Sequence, residues 1–260
     1  MKINIGKTIR LGDLIDPTDH RSLVIDTSIT ASVGAVSGLE NFKETVSKIN
    51  TICDGIIVNP GQLEHYGELL GGSHRASPIV RLDWTNYYRD RSFCLPAKQI
   101  HRILISSVDD ALTVGASATV VRYLIGMDDE FEAENVRSIS LTAKDAYREA
   151  LPLIVELCMV GEKVNDKNFD GAVKLGVACM LEVGADGLII PECSPETTQE
   201  IGAWADIPVL LRSSEIPDLT MQNHVFNGGF SGILLRENIF SESGFAKKIS
   251  NCFNNIHTKE

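Results

Sequence analysis

The stretch that decides the fold reads Val183-Gly184-Ala185-Asp186-Gly187-Leu188-Ile189-Ile190-Pro191-Glu192-Cys193. It has the order expected of an inner barrel strand: a helix ends at a glycine, a short loop follows, and an apolar run stops at a proline and a polar cluster. The apolar residues do not alternate with polar ones, which predicts a strand buried on both faces by covering helices. The same arrangement recurs at Val114–Tyr123, so we expect one repeating strand–helix unit.

Apolar strand segments alternate with helical segments along the whole chain. The predicted strands are Ser22–Thr27, Gly55–Asn59, Pro78–Asp83, Ala118–Tyr123, Pro152–Cys158, Gly187–Ile190, Pro208–Arg212 and Gly232–Arg236. Eight such units in 260 residues, with no linker-like segment, predict a single α/β domain, 1–260, folded as a (β/α)8 TIM barrel. An open doubly wound sheet is disfavoured because no glycine-rich dinucleotide fingerprint follows the first strand.

Segments outside the strands carry further expectations. The stretch before Arg21 should pack across the bottom of the barrel, and the glycine- and serine-rich loop 28–38 is long enough to be a lid. A polar, aromatic stretch at 84–91 follows the third strand, and a short strand is expected at Ile103–Ile105. Helices are expected at 39–49, 130–149 and 238–253.

Composition excludes several classes of protein. The net charge of −11 argues against a nucleic-acid partner, because a phosphate backbone selects clusters of Lys and Arg. The chain has no apolar run of membrane-spanning length and no signal-peptide core near Met1, so we expect no membrane partner and a cytoplasmic location. Its six cysteines are scattered without paired or metal-like spacing, which is typical of reduced thiols.

Charged residues accumulate where the predicted strands end, and in a barrel of this type the active site lies at those carboxyl ends. They are Asp26, Asn59, Arg81, Asp83, Arg122 with Tyr123, Glu156, Glu192, Arg212 and Arg236. Buried charges must be paired, so a whole ring of them points to function. The alternative is that they pair with one another and stiffen the rim. Cys158 and Cys193 also fall at strand ends, where we interpret them as barrel-filling side chains.

Several sequence segments resemble, in sequence and in order, segments of the archaeal-type class I aldolases. This family includes DhnA-type fructose-bisphosphate aldolase and the LsrF thiolase. They are Leu23–Asp26, Asp54–Gly61, Leu151–Glu156, Val183–Asp186 and Ile207–Leu210. The resemblance implies a barrel of the class I aldolase superfamily. It also implies that Asp26 assists proton transfer and that Tyr123 corresponds to the family tyrosine on the fourth strand.

The chain differs from that family at the catalytic lysine and in the phosphate-binding loops. The Schiff-base lysine follows Gly-Ala-Asp by three positions, and here that position is Ile189. An isoleucine cannot form an iminium, so the resemblance implies a member that lacks this lysine. The glycine-rich phosphate loops read Arg212-Ser213-Ser214 and Arg236-Glu237-Asn238, in which only Asn238 matches the family. The guanidinium groups of Arg212 and Arg236 could hold an anion instead.

The first functional hypothesis is an aldolase-like lyase that forms or breaks a C–C bond of a small phosphorylated or carboxylated carbonyl compound without a Schiff base. Its catalytic residues would be Asp26, Tyr123 and Glu156. Its substrate-binding residues would be Arg81, Asp83, Arg122, Arg212, Ser213, Ser214, Arg236 and Asn238. Because neighbouring residues of a strand face opposite sides, we expect Arg236 to be free of Glu237, and Arg212 to be partly screened by the two serines.

Variants of this hypothesis remain open. No cofactor or metal is required, but a magnesium-type ion on Asp83, Glu156 and Glu192 is one variant, and a lysine borrowed from a loop, Lys163, is another. The second hypothesis is a catalytically inactive relative that serves as a ligand-binding or assembly subunit. The family resemblance further implies a homo-oligomer, with Val173–Leu181 offered for self-association.

Overall fold

The computed structural model of the chain describes residues 4–258. The strands are β1 Ser22–Asp26, β2 Gly55–Val58, β3 Ser77–Arg81, β4 Asp83–Thr85, β5 Arg102–Leu104, β6 Ala118–Ile125, β7 Leu153–Met159, β8 Gly187–Pro191, β9 Val209–Ser213 and β10 Gly232–Leu235. The α-helices are α1 Ile5–Gly12, α2 Thr30–Val33, α3 Phe42–Ile49, α4 Pro60–Tyr66, α5 Val108–Thr113, α6 Asp129–Arg148, α7 Phe169–Val183, α8 Pro195–Trp204, α9 Leu219–Asn227 and α10 Phe245–His257. Short 3-10 helices lie at Gly67–Leu69 and Glu237–Ser241.

Eight strands close into a parallel barrel in the order β1-β10-β9-β8-β7-β6-β3-β2. The barrel is closed because β1 pairs with both β2 and β10, which leaves no open edge in this sheet. Helices connect successive barrel strands and cover the outside. The predicted (β/α)8 TIM barrel is confirmed.

The interior of the barrel has an apolar layer beneath a charged layer. The apolar layer is one cluster of buried side chains: Leu14, Val24, Ile57, Ile79, Ala118, Val120, Ile154, Ile189, Leu210 and Leu234. Side chains of a strand alternate between its two faces, so the residue two positions further on also faces inward. That step leads from Val24 to Asp26, from Ile79 to Arg81, from Val120 to Arg122, from Ile154 to Glu156 and from Leu210 to Arg212. Strand register alone therefore brings these charged groups to the carboxyl-terminal mouth.

The stretch Val183–Cys193 folds as the sequence predicts. Helix α7 ends at Gly184, whose φ of 100° lies in the left-handed region that glycine adopts without strain. Strand β8 follows, and all five of its residues are buried. Inside α7, a Cβ on Gly176 would lie 2.2 Å from Leu157 Cδ2, so the glycine lets the helix pack closely on β7.

The chain differs from the predictions after the third barrel strand and near its C-terminus. The predicted strand Pro78–Asp83 ends at Arg81, and Asp83 instead begins an antiparallel hairpin of β4 and β5. We call residues 83–105, which contain this hairpin, the insert. The helix predicted at 238–253 begins later, because a 3-10 helix and Gly244, with φ of 70°, precede α10.

The lead-in segment lies at the bottom of the barrel, opposite the mouth, as expected. Lys7 of α1 pairs with Asp186 at 2.6 Å, just before β8, and the Arg10 guanidinium donates to the carbonyl of Ala150 at 2.8 Å. These contacts fasten α1 to the loops at the amino ends of the strands. Within residues 4–258, no helix combines the length and the apolar character that a bilayer crossing needs.

Candidate active site

Arg81 is the centre of the charged layer. Its side chain is fully buried, with Nη2 2.8 Å from Asp26 Oδ2 and Nη1 2.9 Å from Glu156 Oε2. Its Nε donates to Ser28 Oγ at 2.8 Å, and Asp26 Oδ1 in turn accepts from the Ser28 hydroxyl and amide. One guanidinium thus joins the first, third and fifth barrel strands across the mouth.

Glu156 is shared by three arginines. Besides Arg81, it meets Arg212 Nη1 at 3.0 Å and Arg122 Nε at 3.6 Å. Burial alone would raise the pKa of Glu156, but the charges of Arg81, Arg122 and Arg212 outweigh it and hold that pKa well below its ordinary value. The carboxylate is therefore ionised at neutral pH and is a poor proton donor or base there. This geometry argues against the predicted acid/base role and makes Glu156 an ion-pair partner.

Asp83 and Arg122, both predicted to bind substrate, hold the insert to the barrel. Asp83 Oδ2 accepts from the backbone amide of Arg122 at 2.8 Å and from Arg102 Nε at 2.9 Å. Asp83 Oδ1 lies 3.5 Å from Arg122 Nη1. Asp83 is thus committed to protein contacts, whereas Arg122 also faces the mouth.

Arg212 lies one residue before the end of β9 and Arg236 directly follows β10. Both are partly accessible, with 16% and 22% of their side chains exposed. Arg212 Nη1 bonds Glu156, the carbonyl of Leu157 and Cys158 Sγ. The expectation that Arg236 is free of Glu237 is wrong, since Arg236 Nη2 lies 2.9 Å from Glu237 Oε1. Strand alternation does not apply there, because β10 ends at Leu235 and a 3-10 helix begins at Glu237.

Three further predicted substrate-binding residues are not brought into this cluster. Ser213 faces away from the barrel interior and its hydroxyl donates to the carbonyl of Glu215 at 2.9 Å. Ser214 and Asn238 are exposed. The charge of Arg212 is balanced by Glu156 rather than screened by serine hydroxyls, which corrects the sequence-based expectation.

Tyr123 does not reach the mouth. It follows the inward-facing Arg122, so it points outward into the layer between the sheet and the helices, where its hydroxyl lies 3.3 Å from Glu132 Oε1. Burial and the nearby Cys179 and Glu132 raise the pKa of this phenol. The prediction that Tyr123 donates a proton to substrate is therefore not supported by its position.

Two tyrosines that sequence reasoning did not assign stand in the mouth instead. The Tyr88 ring centroid lies 5.4 Å from Arg122 Cζ and 5.1 Å from Arg236 Cζ, and the Tyr87 ring packs against it at 4.7 Å. Burial is the main cause that raises the pKa of both phenols. Both residues belong to the polar, aromatic stretch noted in the sequence. Only the fold of the insert shows that this stretch turns over the mouth.

Neither β8 nor the loop residue Lys163 provides a lysine that is suited to a Schiff base. Strand β8 contains no lysine, and Ile189 is buried in the apolar layer. Lys163 lies at the surface, where a hydrogen bond to Asp129 raises the pKa of its amine, the opposite of what a Schiff-base lysine needs.

The oxygen ligands proposed for a magnesium-type ion are not gathered, because Asp83 and Glu156 face arginines and Glu192 is exposed. Among the described residues, a group of potential metal ligands within 4.8 Å of one another occurs at Asp16, Asp19 and His257. Those residues belong to the lead-in segment and the end of α10, not to the mouth.

Cys158 lies at the rim of the same cluster, 3.5 Å from an Arg212 nitrogen. Burial, followed by the charge of Glu156, raises the pKa of its thiol despite the nearby guanidinium. Cys158 is therefore a neutral thiol at neutral pH, in keeping with the barrel-filling interpretation.

Comparison with known protein families assigns this barrel to one of them. Residues 14–189, more than half of the chain, match the DeoC/LacD family aldolase domain. The chain belongs to the DeoC/LacD aldolase family. The resemblance to class I aldolases is thereby confirmed at the level of family and fold, while the loss of the family lysine at Ile189 stays a prediction.

Individual relatives are distant. The 2-amino-4,5-dihydroxy-6-oxo-7-(phosphonooxy)heptanoate synthase of Streptomyces griseus is 23% identical over 264 residues, which cover 98% of this chain and 92% of the relative. A Schiff-base-forming fructose-1,6-bisphosphate aldolase superposes with a TM-score of 0.79 at 20% identity, covering 96% of this chain and 100% of that one. An archaeal fructose 1,6-bisphosphate aldolase superposes with a TM-score of 0.77 at 19% identity, covering 96% and 98%. At these identities, the structural likeness establishes the fold alone.

Proposed function

We propose that the protein is an aldolase-type lyase that acts on a small phosphorylated or carboxylated carbonyl compound without forming a Schiff base on β8. The observation that carries the proposal is the surplus of cations at the mouth. Five guanidinium groups, of Arg81, Arg102, Arg122, Arg212 and Arg236, face four carboxylates, of Asp26, Asp83, Glu156 and Glu237. One more negative charge would balance them.

The accessible members of this set are suited to hold an anionic group. Arg212 and Arg236 are partly exposed and lie at the carboxyl ends of the neighbouring strands β9 and β10. Guanidinium groups form strong, directional hydrogen bonds with phosphate and carboxylate oxygens. The Streptomyces griseus relative bears the name of a synthase for a phosphorylated compound, which supports a phosphorylated substrate here.

The reaction would then depend on charge stabilisation. Breaking an aldol C–C bond leaves negative charge on an enolate oxygen, and fixed guanidinium groups in a water-poor mouth stabilise such charge. Asp26 remains the candidate acid/base group, because Glu156 is held ionised and Tyr123 points away. Arg81, which bonds Asp26, would position that carboxylate.

The test is enolate formation, since it requires no knowledge of the second substrate. Dihydroxyacetone phosphate in D2O should exchange one carbon-bound hydrogen in the presence of the protein, as seen by proton NMR. Replacing Asp26→Asn should slow the exchange about a hundredfold or more. Arg212→Ala should weaken substrate binding about tenfold, and the exposed Arg137→Ala should change neither.

We further predict that no Schiff base forms on β8. Borohydride added with dihydroxyacetone phosphate should leave the peptide that contains β8 unmodified, because that strand has no lysine. Mass spectrometry of the digested protein measures this. A specific adduct on Lys163 would instead support the borrowed lysine, and would contradict acid/base chemistry without an amine.

A second candidate function is a non-catalytic ligand-binding subunit. It is favoured by the contacts that the mouth already makes within the protein. Glu156 is bound by three arginines, and the Tyr88 ring lies against one of them, Arg122, and against Arg236. Calorimetric binding of phosphorylated compounds, with hydrogen exchange no faster than in protein-free buffer across a panel of carbonyl compounds, would favour this candidate over the lyase.

A further inference from the structure

The Tyr88 ring lies across the axis of the barrel. Its two cationic neighbours, Arg122 and Arg236, come from β6 and β10. Three strands separate β6 from β10 in each direction around the barrel, so these strands are diametrically opposed. A single ring within 5.1 and 5.4 Å of both guanidinium carbons must therefore occupy the middle of the mouth. That is the position at which a barrel enzyme presents its ligand.

The ring leaves one donor of Arg122 without a hydrogen-bond partner within residues 4–258. Arg122 is 1% exposed, yet its Nε has no hydrogen-bond partner among the described residues and only approaches Glu156 Oε2 at 3.6 Å. An aromatic face attracts a guanidinium but accepts no conventional hydrogen bond from it. A buried donor without a partner is unfavourable, and an anion at the ring position would supply the missing acceptor.

Tyr88 lies in the turn that follows β4, outside the paired strands of the insert, while Asp83 and Arg102 hold the ends of the insert to the barrel. Trp84 Nε1 donates to the carbonyl of Ala31 at 2.9 Å, and Arg89 Nε donates to the carbonyl of Ser32 at 2.7 Å. Both acceptors lie in α2, within the segment 28–38 that the sequence suggests as a lid. These bonds fasten the insert to that segment on either side of Tyr88, and the ring itself belongs to a turn that can shift without breaking a strand pairing.

We infer that the axial position filled by the Tyr88 ring is the anion-binding subsite of the mouth, and that Tyr88 is its displaceable occupant. The ligand would be a phosphate or carboxylate group bound between Arg122 and Arg236. This inference rests on the proposed function, in which the mouth binds an anionic compound. The inference adds the position of the bound anion and the side chain, Tyr88, that must move before the anion can bind.

The consequence is a competition between the ring and the ligand. If the ring vacates the mouth for only a small fraction of the time, the apparent affinity for an anion is lowered by that fraction. Minor states of this kind are commonly populated at about 0.1–10%. Removing the ring should therefore tighten anion binding about tenfold or more. Phenylalanine, which keeps the ring, should leave the affinity near that of the parent.

The experiment measures binding of inorganic phosphate and of dihydroxyacetone phosphate by calorimetry. It compares the parent, Tyr88→Ala and Tyr88→Phe, with Tyr147→Ala, an exposed tyrosine of α6, as the matched control. A second readout uses Trp84, which becomes the sole tryptophan of the chain when Trp204 is replaced by Phe. Displacement of the turn by phosphate should change the emission of Trp84, because the guanidinium of Arg89, the residue after Tyr88, lies 5.5 Å from the Trp84 ring.

The outcomes separate the subsite from the proposed function. Tighter binding by Tyr88→Ala than by the parent, with Tyr88→Phe unchanged, supports the subsite. If the parent binds phosphate and Tyr88→Ala binds it equally or more weakly, the subsite is wrong and the anion-binding function stands. If folded parent and variant bind neither probe, the proposed function fails and the subsite fails with it. Should Tyr88→Ala not fold, an unchanged Trp84 emission at saturating phosphate overturns the inference.

Discussion

His257 makes the stability of the protein depend on pH in a direction that can be worked out from the structure. It ends α10, and its ring nitrogens lie 2.8 Å from Asp19 Oδ2 and 3.1 Å from Asp54 Oδ2. Burial lowers the pKa of the imidazole, but hydrogen bonds and charges from Asp54 and Asp19 outweigh it and raise the pKa of His257 to about 9. The C-terminal helix is thus held by a charged imidazolium between two carboxylates.

The size of the effect follows from the shift in pKa. Each pKa unit corresponds to about 1.4 kcal/mol, so a shift from about 6.5 to about 9 sets an upper bound of about 3.5 kcal/mol. The side chain of His257 is 17% exposed, and solvent screening reduces this to about 2 kcal/mol. Because the pKa is raised in the folded state, the contribution is complete below pH 6.5 and is lost as the pH rises through about 9.

The assay is urea unfolding of the parent and of His257→Gln at pH 6 and at pH 10. We expect the variant to be less stable than the parent by about 2 kcal/mol at pH 6, and the difference to close at pH 10. Titrations shared by both proteins cancel in this comparison. The exposed His101→Gln is the control and should match the parent at both values. An equal difference in unfolding free energy between parent and variant at pH 6 and pH 10 would show that the charge of His257 does not stabilise the fold.

Two further predictions concern the core. Arg81→Met leaves two buried carboxylates without their shared partner and should destabilise the protein by about 3–5 kcal/mol, whereas Arg137→Ala at an exposed pair should cost less than about 0.5 kcal/mol in urea unfolding. Equal losses would show that the buried network contributes nothing. Gly176→Ala should cost about 1–3 kcal/mol, since its Cβ would meet Leu157 at 2.2 Å; Gly171→Ala in the same helix, with nothing within 4 Å, should be neutral or stabilising by thermal melting. Equal melting temperatures would contradict the close approach of α7 to β7.

The barrel could be predicted from the sequence because its strands are buried on both faces. Each appears as a short apolar run between a glycine or proline and a polar end, and the repeat of that pattern indicates the fold. The boundaries were less certain where the chain leaves the regular repeat. Nothing local distinguishes Asp83 as the last residue of one strand from Asp83 as the first residue of a hairpin, and the pairing with β5 decides it.

The membership of the site was only partly predictable. Asp26, Arg81, Arg122, Glu156 and Arg212 could be assigned because they lie two positions beyond inward-facing apolar residues. Tyr123, by contrast, is expected from the family resemblance, but its position in the strand places its side chain outside the barrel. Tyr88 was missed because a loop residue has no register, so no periodic rule places its ring over the mouth.

The sequence by itself therefore determines which side chains point into the barrel, since alternation along a strand is a property of the local backbone. It determines the apolar layer and, two residues later, the charged layer above it. Only the tertiary structure decides how those charges are paired, because Arg81, Asp26 and Glu156 come from three strands and meet only when the barrel closes. The same closure places Arg122 and Arg236 on opposite sides of the axis and lets the ring of Tyr88 lie between them. Charge–charge distances across a barrel depend on contacts far apart in the chain, and no local pattern contains them.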